Sequence, residues 1–526
     1  MISAQAGLAS GARTGRNGAF GGFRTRWALL LSAAGGLATF ASFPPLDLWP
    51  LVVLGPALLV VALTGRRLRG SFGCGLVFGL ALFVPLLTWL NNVAWYAWAA
   101  LAGAEAVIFA VLCVGQRLLL DLPFWPAAVG AWWVTAEALR DRWPFAFPWG
   151  RLAMSQSVAP DVRWVAVGGA PLLTFLVALT GAMLARAVLA GLGTGGWRSR
   201  GFAGAGVALV VTAGLVLAGG LLPVDPVGGA PTATVAAIQG DVPHARNLPQ
   251  LLNDSEVTQN QAADTLKLAA EVKAGRLPAP DLVIWPEDAV GLDPREYPFV
   301  YAEIAGAMGA VGRPILVGEV LTNPRRNVGQ LWVPGAGPTT FYVKRQLVPF
   351  GEYIPFRGII SSFSSLPSLQ PVDFTAGHQA VVFDVGKIRL GDVICYEVGF
   401  DDLVRSEVTA GANLLAVQSN DADFEIDGQL GETEQQTAMA RIRAIESDRA
   451  VVYASTTGES TIIGPDGAVI EHSGVWHQAI LDAPVPLVSY RTLADRIGSW
   501  PEYVLVLLTV LALGLAITVR RRVSRP

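Results

Sequence analysis

Three side chains that follow apolar stretches have the types needed for acyl transfer through a sulfur atom. Glu287 stands in "WPED", Lys344 in "YVKRQLVPFGE" and Cys395 in "GDVICYE". A carboxylate can take the proton of a thiol, and an ammonium can hold the resulting thiolate or an oxyanion. Together these types indicate thioester chemistry. Each residue alone is also compatible with a buried thiol, a glutamate in a turn or a solvated lysine, because sequence separation does not show that the three meet.

Other chemistries lack the residues that they need. The chain has four histidines, of which His244, His378 and His472 follow no nucleophile pattern, and no two histidines stand at metal-ligand spacing. The other two cysteines, Cys74 and Cys113, lie in apolar runs as small helix residues and form no CxxC pair. We therefore expect neither a metal site nor a cofactor. The formal net charge of −3 gives no reason to expect a nucleic-acid partner.

The polar part of the chain, residues 223–500, must position these side chains. Its apolar strand candidates alternate with helical stretches. Strands are predicted at 232–241, 280–290 and 313–321, and helices at 253–275 and 294–312. This alternation predicts an α/β domain with helices covering the faces of its sheets. Because function collects where strands end in such folds, the ends carrying Glu287, Lys344 and Cys395 are the candidate site.

The remaining sequence is unusually apolar and predicts a membrane protein. Hydrophobic residues make up 52% of the 526 residues and charged residues 15%, against about 25% in a soluble domain. About eight apolar segments approach the length of a membrane-spanning helix. They lie at 27–43, 50–64, 71–90, 94–116, 123–139, 163–185, 202–222 and 503–519. The predicted organisation is a basic tail (1–26), a seven-helix membrane domain (27–222), the α/β domain (223–500), and an eighth helix with a second basic tail (501–526).

The distribution of arginine predicts the orientation of these segments. Clusters such as "GRRLRG" at 65–70 and "RRRVSR" at 520–525 fall on one side of an eight-span chain. Arg140, Arg142 and Arg151 are exceptions on the other side. Because cytoplasmic loops carry an excess of Lys and Arg, both termini are expected in the cytoplasm and residues 223–500 outside the cytoplasmic membrane.

The motifs themselves resemble a known family. "WPE", then "K" before "LVPFGEYIP", then "CYE" resemble the carbon–nitrogen hydrolase (nitrilase) superfamily with its Glu-Lys-Cys triad. The longer strings "YVKRQLVPFGEYIPF", "GDVICYE", "QSNDADF" and "FPWGRL", with the membrane arrangement, resemble the apolipoprotein N-acyltransferase family, closest to its actinobacterial branch. The resemblance implies a polytopic α-helical membrane domain and a nitrilase-like α-β-β-α sandwich.

The resemblance also implies roles for the three residues. Glu287 corresponds to the general base and later the general acid, Lys344 to the group that stabilises the oxyanion, and Cys395 to the nucleophile. Their positions match the motifs of the family in order.

Supporting residues are implied in the same way. Glu352 in "PFGE" matches a second essential glutamate, and Tyr396 and Glu397 match the residues after the nucleophile that affect the later acyl transfer. The chain departs from the family at Asp423, where tryptophan is usual, and within "EQQTAM", where the usual histidine is replaced. We expect these departures to concern substrate preference and not the reaction type.

The implied reaction is a two-step transfer in the membrane. An acyl chain moves from a phospholipid donor to Cys395, and then to the α-amino group of the N-terminal diacylglyceryl-cysteine of an apolipoprotein, with the enzyme acting as a monomer. A membrane-anchored nitrilase-type amidase acting on small C–N substrates stays open as an alternative. So does a transporter or scaffold whose nitrilase-like part only binds.

Overall fold

A computed structural model describes residues 25–191, 206, 210, 214, 218–222, 229–242, 250–362, 370–424 and 431–523. Nearly all of the predicted basic tail (1–26) and most of the predicted seventh span (202–222) lie outside these residues. The predicted domain boundary at 223 lies outside them as well.

Apolar helices occupy the positions of the other seven predicted spans. They are α1 (Thr25–Ala41), α2 (Leu54–Leu63), α3 (Leu68–Leu86), α4 (Trp95–Leu119), α5 (Trp125–Arg140), α6 (Val165–Gly191) and, near the end of the chain, α13 (Trp500–Val523). Helix α6 contains a kink, because Gly168 and Gly169 leave helical geometry and Gly169 has a φ of 72°.

Four of the described helices are long and apolar enough to cross a membrane. They cover Leu68–Leu86, Trp95–Leu119, Val162–Gly191 and Trp500–Arg522. A crossing needs about 20 residues of helix. Helices α1, α2 and α5 have 17, 10 and 16 residues, and a 3₁₀ turn at Trp49–Val53 precedes α2. Sequence hydropathy thus locates the helices but leaves the predicted number of eight crossings a proposal.

Two six-stranded mixed sheets form the polar part of the chain. The first has the strand order β12-β1-β2-β3-β4-β5 and the second β11-β10-β9-β8-β7-β6. Strands β1, β2 and β3 run parallel in the first sheet, as do β7, β8 and β9 in the second. The strands are β1 (Thr232–Gln239), β2 (Leu282–Ile284), β3 (Ile315–Thr322), β4 (Arg325–Val333), β5 (Gly337–Val343), β6 (Val382–Val385), β7 (Ile388–Ile394), β8 (Leu414–Ser419), β9 (Val451–Ser455), β10 (Thr461–Ile463), β11 (Val469–His472) and β12 (Ala479–Pro486).

The sheets pack against each other, and helices cover their outer faces. Ile284 and Leu316 of the first sheet share a buried core with Ile394, Ala416 and Val452 of the second. The helices of this part are α7 (Gln250–Lys273), α8 (Pro298–Val311), α9 (Arg357–Ile360), α10 (Asp401–Ala410), α11 (Glu432–Ser447) and α12 (Leu493–Ile497). Helices α7 and α8 cover the first sheet, and α10 and α11 lie on the second. The polar part is therefore an α-β-β-α sandwich, as the family resemblance implies, and it has the helix-covered sheets that the sequence pattern predicts.

Helix α11 joins the sandwich to the apolar helices. Fourteen of its 16 residues are buried, including polar ones such as Gln436. One continuous apolar cluster contains Phe83 and Trp149 of the helical part together with Met439 and Ile442 of α11. The sandwich and the apolar helices thus share a core, and α11 lies inside it.

Candidate active site

The three residues singled out by the sequence all follow strands. Glu287 lies three residues after the end of β2, Lys344 directly follows β5, and Cys395 directly follows β7. Two hydrogen bonds hold these ends in place: Gln418 Nε2 of the second sheet donates to Trp285 O over 2.5 Å, and the Lys344 amide donates to Asn327 O over 2.9 Å. The packing of the two sheets thereby brings residues from both into one buried site.

Lys344 lies between two carboxylates. Its Nζ is 2.8 Å from Glu287 Oε1 and 3.1 Å from Glu352 Oε1, and only 1% of its side chain is exposed. Asn327 Nδ2 donates to the same two oxygens over 2.6 and 3.0 Å. Glu352 is fixed in turn by the Val348 amide, which donates to its Oε2 over 2.7 Å. The Lys344 ammonium is therefore fixed in position between Glu287 and Glu352.

The charges of this cluster set the proton affinities. Burial raises the pKa of Glu287 to about 7; Lys344 opposes this shift, and Asp288 and Glu352 add to it. Burial lowers the pKa of Lys344, but the nearby carboxylates Glu287 and Glu352 outweigh it and leave the pKa well above its usual value. Lys344 thus stays cationic, while Glu287 can gain or lose a proton near neutral pH.

Cys395 sits at a turn with an unusual backbone conformation. It has a φ of 52° where β7 passes into the 3₁₀ turn Cys395–Gly399, and 7% of the residue is exposed. A non-glycine residue in this left-handed region is uncommon and occurs preferentially at functional sites. Burial raises the pKa of the thiol well above its usual value, Glu287 raises it further, and Lys344 lowers it. The thiol is therefore protonated at rest and needs a base to become a nucleophile.

Glu397 connects the end of β5 to the end of β7 through hydrogen bonds. Its Oε1 accepts hydrogen bonds from the amides of Arg345 and Gln346 over 2.7 and 2.9 Å. Its Oε2 accepts from the Ile394 amide over 2.8 Å and from the Tyr342 hydroxyl over 2.7 Å. These four bonds tie the residues beside Lys344 to the residue before Cys395.

Tyr396 contacts the chain segment between α5 and α6. Its ring stacks on Trp149 with centroids 5.5 Å apart, and its hydroxyl donates to Ala146 O over 2.7 Å. Both partners lie in or beside the "FPWGRL" segment, so the residue after Cys395 packs against the loop between α5 and α6.

A buried ion-pair cluster lies at the same junction. Arg151 reaches from the "FPWGRL" segment to Asp401 at the start of α10, with nitrogen–oxygen distances of 2.7 and 2.9 Å. Asp401 also lies 2.6 Å from Arg443 of α11, which pairs with Glu446. These contacts fix α10 and α11 against the helical part.

Two site residues were missed by the sequence analysis. Asn327 lies on β4 and bridges both glutamates, and Gln436 of α11 donates to Cys395 Sγ over 3.6 Å. Nothing in the local sequence marks Asn327. Gln436 falls in "EQQTAM", where the sequence predicts an effect on substrate preference and not a contact with Cys395. Within the described part of the chain, no group of three or more His, Cys, Asp or Glu side chains could hold a metal ion.

Comparisons with known proteins cover both parts of the chain. A family profile described as apolipoprotein N-acyltransferase N-terminal domain matches residues 35–183, and one described as carbon-nitrogen hydrolase matches residues 234–495. An apolipoprotein N-acyltransferase of Mycolicibacterium smegmatis is 36% identical, with 93% of this chain and 85% of the relative covered. The enzymes of the same name from Vibrio parahaemolyticus and Azotobacter vinelandii are 27% and 30% identical, covering 92% and 94% of this chain and 96% of each relative.

Proposed function

Because the chain belongs to the apolipoprotein N-acyltransferase family, it is an acyltransferase of lipoprotein maturation, and we propose that it works through a thioester on Cys395. The predicted resemblance to this family is confirmed, including the likeness to an actinobacterial relative. The proposal concerns the roles of the residues, the two substrates and the arrangement in the membrane.

The first half-reaction forms the thioester. Glu287 takes the proton of the thiol, and Cys395 Sγ attacks the ester carbonyl carbon of a membrane phospholipid. Lys344 faces the negative charge that develops on the carbonyl oxygen. The bond from that carbon to the glycerol oxygen then breaks, Glu287 returns the proton to the leaving oxygen, and lysophospholipid departs.

The second half-reaction transfers the chain. The neutral α-amino group of a diacylglyceryl-cysteine attacks the thioester carbonyl carbon and gives a proton to Glu287. The carbon–sulfur bond breaks, an amide remains on the lipoprotein, and Glu287 returns the proton to the sulfur. Glu352 keeps Lys344 in place in both halves, while Tyr396 and Glu397 support the turn that carries the sulfur.

The arrangement in the membrane follows from the nature of the substrates. Both carry acyl tails buried in lipid, so a site at the outer bilayer surface reaches them without extraction, which costs about 0.8 kcal/mol per CH₂. We assign eight crossings, cytoplasmic termini and an extracytoplasmic domain at 223–500 to a monomeric enzyme. Exposed Phe350, Phe356 and Ile359, in and after the segment that carries Glu352, provide apolar contact for the chains.

The observation that carries this proposal is the buried ammonium held between two carboxylates beside the Cys395 thiol. The test incubates the full-length protein with phospholipid that carries a labelled acyl chain and follows the label on peptides by mass spectrometry. The wild type is expected to carry the chain on Cys395 and to pass it to a diacylated peptide amine. Cys395→Ala is expected to lose the adduct, whereas Cys113→Ala, a matched change of a buried cysteine, keeps it.

Two results would count against the proposal. One is a wild type that takes no acyl group from lipid; turnover of small amides by such a protein would favour the amidase alternative. The other is full transfer by Cys395→Ala, which would exclude a thioester at this residue.

A further inference from the structure

Gln436 donates to the Cys395 sulfur and is not among the site residues that the sequence predicts. It lies on α11, is 1% exposed, and places its Nε2 3.6 Å from Cys395 Sγ. The same nitrogen donates to Glu432 Oε1, one helical turn earlier. The two hydrogens of the amide nitrogen thus have two acceptors, a carboxylate and the sulfur.

The surroundings fix the orientation of this amide. Its Oε1 faces two hydroxyl groups, Ser419 Oγ and Tyr453 Oη, each at 3.4 Å. Asp421 holds both hydroxyls, at 2.6 Å from Ser419 and 3.1 Å from Tyr453. Each hydroxyl has one proton and makes its shorter contact with Asp421, so these hydroxyls do not decide the orientation. The Glu432 carboxylate does, because it accepts only from the Nε2 side of the amide, and that side also faces the sulfur. This buried arrangement is not needed for the acid–base steps described above.

We propose that Gln436 is a further catalytic residue, whose amide N–H holds the sulfur in its anionic form in both half-reactions. This inference rests on the proposed thioester chemistry and adds a donor to it. In the first half, negative charge appears on the sulfur when Glu287 takes its proton. In the second, it reappears when the carbon–sulfur bond breaks.

The charges around the sulfur explain why a neutral donor is useful. Glu287 after β2, Glu432 on α11 and Asp421 after β8 face Cys395 and oppose a thiolate. Lys344 is the cation that favours it, but Lys344 is shared between Glu287 and Glu352. A hydrogen bond strengthens when its acceptor is ionised. The contact from Gln436 is therefore stronger with the thiolate than with the thiol or thioester, and such differential binding accelerates a reaction.

The test measures the thiol directly, apart from acyl transfer. Full-length protein in detergent is alkylated with iodoacetamide at pH 6–10, and modification of the Cys395 peptide is followed by mass spectrometry. Gln436→Met, which keeps the size but lacks the donor, is expected to slow alkylation at pH 7.5 by about 10- to 100-fold, the range for a hydrogen bond to a charged group. Its pH profile should shift upward, and both half-reactions should slow.

Matched variants separate this effect from loss of structure. Gln435→Met changes the neighbouring buried glutamine, which donates to Leu86 O and does not contact the sulfur; its alkylation profile should match the wild type. Gln436→His restores a ring N–H and should recover much of the rate. If Gln436→Met does not fold, Gln436→Glu replaces the amide N–H by an acceptor of the same shape and should give the same upward shift.

The outcomes distinguish this inference from the proposed function. An alkylation profile of a folded Gln436 variant that superimposes on that of the wild type overturns the inference, whatever the acyl-transfer rates. A wild type without a lipid-derived thioester overturns the proposed function, while the alkylation profiles still decide the role of Gln436. A rate loss confined to one half-reaction also contradicts the inference, because the sulfur becomes anionic in both.

Discussion

Asp401→Asn should weaken the junction between the sandwich and the apolar helices. Asp401 accepts two hydrogen bonds from Arg151, at 2.7 and 2.9 Å, and lies 2.6 Å from Arg443. The two arginines are 2% and 1% exposed. Asparagine has the same shape, but it cannot compensate either buried guanidinium. The change therefore leaves positive charge in the interior without moving the backbone.

The expected cost can be worked from the remaining contacts. Breaking a buried ion pair costs about 3–5 kcal/mol. Arg151 keeps Asp141 at 3.4 Å and Arg443 keeps Glu446 at 2.6 Å, so the lower end, about 3 kcal/mol, applies. An unfolding entropy of about 2.1 cal/mol/K per residue over 526 residues is about 1.1 kcal/mol/K. If the chain unfolds as one unit, the thermal midpoint should fall by about 3 °C.

The pKa of Asp401 determines how the loss of stability in Asp401→Asn depends on pH. Burial raises the pKa of Asp401, but Arg151 and Arg443 outweigh it and hold the pKa below its usual value. A lowered pKa stabilises the folded state above the ordinary value of 3.8, and this stabilisation is lost as the pH falls through the folded-state pKa. The charge of Asp401 itself is therefore lost only in strong acid. Between pH 6 and 8 the difference between variant and wild type should shrink as the pH rises, because burial, with Asp401 adding to it, raises the pKa of Asp141 to about 7, and the variant removes the Asp401 contribution.

Thermal unfolding in detergent, followed by tryptophan fluorescence, measures this difference. The control is Asp402→Asn, which changes the exposed neighbour and should shift the free energy of unfolding by at most about 0.5 kcal/mol. Equal midpoints for Asp401→Asn and wild type would refute the reasoning. So would a difference that disappears as the pH falls from 8 to 6, because the carboxylate would then not be held ionised by the arginines.

Three further predictions concern the sandwich. Since Glu287 has a pKa raised to about 7 and must be ionised to take the thiol proton, the rate of thioester formation should rise with pH through about 7; a rate flat from pH 5 to 9 would contradict this. Burial raises the pKa of Glu319 from 4.5 to about 8, so the stability present below pH 4.5 is lost as the pH rises through 8. As the pH is raised from 6 to 9, the wild type should therefore lose stability that Glu319→Gln keeps. The thermal midpoint of the variant should rise relative to that of the wild type by the equivalent of a few kcal/mol. Midpoints of the two proteins that change in parallel with pH would contradict this prediction. In Gly318→Ala, the added Cβ would overlap Pro286 O and lie 2.8 Å from Glu287 Cα, so thioester formation should fall at least 10-fold. The control Gly306→Ala adds a Cβ in open space and should keep the wild-type rate. Equal rates for the two variants would exclude the overlap at Gly318.

The sequence predicts features that depend on consecutive residues, such as motifs at strand ends and apolar helices. The strand ends at Glu287, Lys344 and Cys395 stand in recognisable strings, and apolar runs locate the helices. Helix length was less accessible: α2 is 10 residues long because a 3₁₀ turn takes up Trp49–Val53. Hydropathy reports an apolar run and not the backbone path through it.

Contacts between distant elements could not be read from the sequence. Asn327 lies 40 residues from Glu287, and Gln436 lies 41 residues from Cys395. Both are polar side chains on buried elements. Their partners depend on the pairing of β4 with β3 and β5 and on the packing of α11 between the sandwich and the apolar helices. Both arrangements depend on the fold of the whole sandwich. The ion pair between Arg151 and Asp401 spans 250 residues and depends on the same docking.

The burial of α11 on nearly all sides limits how this protein can be divided. A fragment comprising the two-sheet part alone would expose Met439 and Ile442 to water, and Asp401 would keep Arg443 but lose Arg151. Such a fragment is expected to aggregate, so a water-soluble version of the enzyme is not obtained by simple truncation. For the same reason, a chimera that takes its apolar helices from a distant relative also needs α11 from that relative, because the contact between the sandwich and the apolar helices lies in the interior.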